Sequence, residues 1–149
     1  MDKLILNQVV DEKLRYYKSI NEEKVAYNYA YPLTSTFNAN TYGSSNVEKI
    51  TVSGSQLFIF NQINFYSTAP FKVLLKDVAT GRELAESAVS SQVLSDVYFY
   101  NESRGIWLLD IPKIISGNGE LNVILYNDYD GEQTNTIVMN FKGVSINNR

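Results

Sequence analysis

The sequence predicts an all-β fold: an antiparallel β-sandwich of the jelly-roll or Ig-like kind, with an N-terminal arm and at most one short helix. Three observations carry this. Eight to ten short runs alternate apolar and polar residues and are separated by turn residues, which is the spacing of a sandwich or barrel. Eleven tyrosines sit among many asparagines and serines, a composition that favours strands and polar loops over long helices. Several of the runs are apolar on one side only, as expected of a sheet packed on one face.

A chain of 149 residues has the size of one domain and can bury a core without staples. Residues 1–149 are therefore read as a single sandwich domain, with 1–23 as an N-terminal arm or connector and 143–149 as a polar tail. The arm opens with Leu4 to Leu6, then Val9 and Val10, which suits a first strand or a segment packing on a neighbour. Asp11 is placed to cap a short helical turn through Leu14, Tyr16 and Tyr17.

From Lys24 to Tyr31 the period is two, with Val25, Tyr27, Tyr29 and Tyr31 on one face. Pro32 ends this strand or marks it as an edge, because proline cannot donate to a ladder. Leu33 to Ser45 reads as a long polar loop with one short strand near Ser35 to Phe37. Alternation returns at Val47 to Val52. Leu57 to Tyr66 is apolar on both sides and reads as a central strand, with a bulge at Asn61 and Gln62. Phe71 to Val78 and Arg82 to Val89 flank a hairpin turn at Thr80 and Gly81. Val93 to Asn101 is read as a strand, and Ile106 to Ile111, which holds Trp107, is the most apolar run and stops at Pro112. Leu121, Val123 and Leu125, followed by Ile137, Met139 and Phe141, read as one hairpin forming a wall of the core across an acidic turn.

Composition excludes whole classes of chemistry. With no cysteine and no histidine, the chain has no disulfide, no thiolate, and neither a Ser-His-Asp nor a Cys-His site. Net charge is −3 and the lysines and arginines are scattered, which argues against nucleic acid as the main partner. No apolar run has the length of a membrane span, and the N-terminus turns polar too early for a signal peptide, so the chain is expected to act as translated, away from a membrane.

Candidate sites are few. Asn127 to Glu132 brings Asp128, Asp130 and Glu132 into one glycine-containing turn, which suits a calcium ion or simply a hairpin tip; the tip is the reading adopted, with no metal and no cofactor expected. Tyr27, Tyr29 and Tyr31 form a row suited to stacking on sugar rings or to a subunit contact. Trp107 reads as a core residue. Asp96, Glu102, Asp110 and Asp128 offer carboxylates for glycoside hydrolysis, but no spacing selects a pair. No catalytic residue is assigned, and the chain is expected not to be an enzyme.

The absence of cysteine and histidine, the initiator Met1, and the Asn- and Tyr-rich segments Tyr27 to Tyr31 and Val97 to Asn101 together resemble small all-β structural proteins of tailed-bacteriophage particles. The resemblance lies in the texture of the whole chain and carries no motif. It implies a head-tail connector or ring subunit, a head decoration protein or a tail component. Such a protein would be a homo-oligomer in the virion, assembled in the host cytoplasm and bound to copies of itself and to other structural proteins. The alternative is a carbohydrate-binding sandwich, calcium-stabilised, that uses its tyrosines and Trp107.

Overall fold

Alternation along the chain becomes two facing sheets in the computed structural model, which describes residues 2–83, 88–95 and 102–148. The strands are β1 (Lys24–Phe37), β2 (Ser45–Thr51), β3 (Leu57–Ser67), β4 (Phe71–Asp77), β5 (Val89–Ser90), β6 (Ser103–Ile115), β7 (Glu120–Asn127) and β8 (Asn135–Asn148). One sheet has the order β1-β8-β3-β6 and the other β2-β7-β4-β5, and every pairing is antiparallel.

The first strand pairs with the last, the second with the seventh, the third with the sixth and the fourth with the fifth. A single long antiparallel ribbon has these pairings. Rolling it up so that β8 meets β3 and β7 meets β4 closes a jelly roll, which selects between the two sandwich types expected. Between the sheets lies one core, including Phe58, Phe60, Phe71, Leu121, Leu125 and Phe141, all fully buried.

Leu121, Val123 and Leu125 do enter this core together with Ile137, Met139 and Phe141. They do not form a hairpin wall. β7 pairs with β2 and β4, whereas β8 pairs with β1 and β3, so the two triplets face each other from opposite sheets. A period of two specifies which side of a strand is apolar and leaves its partner undetermined.

The expected bulge is present in β3, where the register shifts between Phe60 and Gln62. The extra residue reverses the parity of the inward face: Phe58 and Phe60 point into the core before it, Ile63 and Phe65 after it. Leu57 and Ile59 consequently face outward, and a second apolar layer covers them.

That layer is α1 (Asp2–Ser19), an 18-residue helix in place of the expected strand or arm followed by a turn at Asp11. Leu6, Val9, Val10, Leu14 and Tyr17 recur at helical spacing and pack on Leu57, Ile59, Val144 and Ile146. The helix stops at Asn21, which takes a left-handed φ of 61°, with the Glu22 N–H donating to the Tyr17 carbonyl. Two short apolar clusters, Leu4 to Leu6 and Val9 to Val10, look the same for a strand as for a helix, and only the sheet beneath them decides.

Three further expectations change. Of the two readings of Pro32 the edge holds and the strand end does not: β1 continues to Phe37 as the edge strand of its sheet, where a missing N–H costs no ladder bond, and the loop shrinks to residues 38–44. Residues 143–148 are not a polar tail but the second half of β8, paired with β1 as far as Lys24 opposite Asn148. Ser91–Leu94 forms a short helix, α2, capped by the Ser90 side chain, where a strand from Val93 was expected. The rest of that strand, residues 96–101, lies outside the described residues, as do residues 84–87 of the strand expected after Gly81.

Candidate assembly surfaces

The tyrosine row lies along β1 on the face that looks into the sandwich, but at its open end. Tyr31 and Tyr29 both pack against Phe58, with ring centroids 5.8 Å away in each case. Phe58 in turn stacks on Phe60 at 5.5 Å. The Tyr31 hydroxyl donates to the Thr51 carbonyl, linking β1 to the end of β2. Tyr31 thus closes the core, whereas Tyr29, 41% exposed, touches it through Phe58 alone and Tyr27, 55% exposed, presents most of its face to solvent.

Asp128, Asp130 and Glu132 do not converge: among the described residues no group of three acidic side chains is arranged to hold a metal ion. What orders their turn is an amide network. Asn135, fully buried, donates from Nδ2 to the Pro70 carbonyl at 2.9 Å and to Asn127 Oδ1 at 3.1 Å, and its own Oδ1 accepts from the Ala69 N–H at 3.2 Å. Asn127 Oδ1 also accepts from the Tyr129 N–H, and the Gly131 carbonyl accepts from Asn40. The turn is tied to the β3–β4 connection and to the loop after β1, and its polar groups are used for this purpose.

Of the carboxylates, Asp96 lies outside the described residues. Glu102 accepts the Tyr66 hydroxyl at 3.1 Å, and that bond, ahead of partial burial, raises the tyrosine's pKa above its ordinary value. Asp110 stands exposed on β6 and Asp128 follows β7, so the candidates sit on separate elements.

Two surfaces stand out. α1 covers only part of the outer face of the β1-β8-β3-β6 sheet. Where it leaves the sheet, a cleft of about 500 Å³ opens, lined by Leu6, Asn7, Asn28, Gln62 and Lys142 among others. Beyond it no described element covers the exposed Ile106 and Leu108. There β6, read from sequence as the most apolar run, turns out to be an edge strand: Trp107 and Leu109 pack on the core, while Ile106 and Leu108 are each 47% exposed. Ile111, 80% exposed, lies in the stretch between Leu108 and Lys113 where β6 loses register with β3. A signal was available in sequence, since Arg104 and Asp110 share the parity of Ile106 and Leu108 and charges mark the solvent face.

No family model and no curated protein matches the sequence. A solved structure does match. The cyanophage Pam1 capsid asymmetric unit contains a chain that aligns with 83% of this one and 86% of its own length, with a TM-score of 0.50 at 8% identity. At that identity the likeness is one of fold. The 60-mer BFDV capsid protein aligns over 86% of this chain and 95% of its own, with a TM-score of 0.40 at 8% identity. The infectious bursal disease virus VP2 subviral particle aligns over 85% of this chain but 38% of its own, at 0.36 and 8% identity. These last two scores are too low to carry an argument about fold.

Proposed function

We propose that this chain is a non-enzymatic structural subunit of a multi-copy virus particle, held by contacts with copies of itself and with other structural proteins. The observation that carries the proposal is the order of the eight described strands, that of a jelly roll, the architecture of capsid domains among others. The fold likeness to a cyanophage capsid chain supports it. Within this reading the chain is one sandwich domain of a bacteriophage virion, serving as a head-tail connector or ring, a head decoration or a tail component, assembled in the host cytoplasm. Its loops and exposed β6 face make the contacts, and α1 serves as a fixed outer layer of the sheet.

Native mass spectrometry and negative-stain electron microscopy of the full chain test this. A discrete multi-copy species is the expected result. A monodisperse monomer, together with intact particles after deletion of the gene, would overturn it. The carbohydrate alternative is not favoured, because Trp107 and Tyr31 pack on the core and Tyr29 holds its ring against Phe58. Its intrinsic fluorescence is accordingly expected to stay flat across a glycan panel.

A further inference from the structure

We propose that two copies of this chain join edge to edge through β6, antiparallel about a two-fold axis at Trp107, so that two β1-β8-β3-β6 sheets become one. The proposal deepens the assembly reading by naming the partner and register of one contact, and it can fail separately from that reading.

Among the described residues β6 pairs only with β3, so along Ser103–Leu108 its other edge has no strand beside it and turns backbone N–H and C=O groups outward. Such an edge is a template for another strand unless something blocks it. The other three sheet edges are blunted. β1 carries Pro32, β2 presents Glu48 and Lys49, and β5 is two residues long. β6 carries its own Pro112 and Lys113 at the far end, but between Arg104 and Asp110 it has neither proline nor lysine.

The side chains select the register. Arg104, Ile106, Leu108 and Asp110 alternate along the strand, and all four are exposed. With the axis at Trp107, Arg104 falls opposite Asp110 of the second copy and Ile106 opposite Leu108, and the mirror-related pairs repeat both contacts. Residues paired by such an axis always share parity, so the four side chains stay on one face and outward-pointing backbone groups meet their counterparts. Moving the axis to Ile106 sets Asp110 against Glu102, and moving it to Leu108 sets Asp110 against Ile106. Of these registers, the one at Trp107 pairs opposite charges and buries apolar against apolar. Arg104 and Asp110 lie six residues apart along an extended strand, about 20 Å, too far to pair within one chain. Neither has an ion-pair partner among the described residues.

Sedimentation velocity of the full chain over a concentration series tests the pairing. Arg104→Glu or Asp110→Arg alone is expected to weaken self-association about tenfold or more, because each sets like charges opposite one another twice. The combined R104E/D110R swap is expected to restore it. The chain has no cysteine, so Ile106→Cys with Leu108→Cys should oxidise to a covalent dimer, and each single cysteine far less. A wild-type monomer at every concentration overturns this proposal, and the assembly reading falls with it only if particles also stay intact after deletion of the gene. Multi-copy species indifferent to the charge changes, or a cysteine pair that stays monomeric, overturn the β6 contact alone. A dimer that responds as described but never grows larger upholds the contact, and intact particles after deletion of the gene would then overturn the particle reading alone.

Discussion

A Cβ placed on Gly143 would stand 1.9 Å from the Ile59 carbonyl oxygen and 2.6 Å from the Phe60 Cα. β8 crosses the β3 bulge at this point, with Gly143 opposite Phe60 and Lys142 opposite Gln62. The bulge brings the two backbones together, and only a residue without a side chain fits between them. Gly143→Ala is expected to cost about 3 kcal/mol of stability, measured by urea denaturation, because neither backbone can yield without breaking a central pairing. A loss under about 0.5 kcal/mol, the level of an ordinary surface change, would mean that the bulge adjusts freely.

Asn135 serves three partners at the end of the sandwich with a single buried amide. Asn135→Ala leaves the Ala69 N–H, the Pro70 carbonyl and Asn127 with one fewer partner each, in a place where water has little access. The expected cost is about 2–3 kcal/mol in thermal or chemical denaturation. Hydrogen exchange at Ala69 should quicken as well, and an unchanged rate there would count against this account.

The tyrosine row divides by position. Tyr31→Ala removes a ring from Phe58 and the hydroxyl bond to Thr51, and should destabilise the fold by about 2–3 kcal/mol. Tyr27→Ala removes a largely exposed ring and should stay within about 0.5 kcal/mol. Equal effects in urea melts would show that the row acts as a uniform face.

Asp77 at the end of β4 meets Lys113 of β6 at 3.1 Å, an ion pair that ties one sheet to the other. Burial by itself raises the Asp77 carboxyl; the hydrogen bond and charge of Lys113, with bonds from Ala79 and Thr80, outweigh it and leave the pKa below the ordinary 3.8. A carboxyl depressed by folding stabilises the protein above its unfolded pKa and loses that contribution as pH falls through the folded one. Asp77→Asn is therefore expected to lower stability in urea at pH 7 by about 1–2 kcal/mol, for a pair whose side chains are only 20% and 18% exposed. The gap between variant and wild type should close below pH 3.8. A gap that persists at low pH would show that the ion pair is not its source.

How much of this was legible in sequence depends on the range of the interaction. Strand faces, the central position of β3 and its bulge could all be read, because side-chain parity is set within a few residues. α1 was missed because its apolar clusters are ambiguous without the sheet they cover. The exposed face of β6 was missed because hydrophobicity was weighed without the parity of Arg104 and Asp110.

Local chemistry, then, determined the inward and outward parity of the central strands and the absence of thiol and imidazole chemistry from these 149 residues. Only the tertiary structure decided which strand lies beside which. Lys24 pairs with Asn148 across almost the whole chain, and β7 and β8, neighbours in sequence, part into opposite sheets. Such pairings are set by how one ribbon rolls up to bury both of its apolar faces at once, a constraint on the whole chain that no short stretch contains.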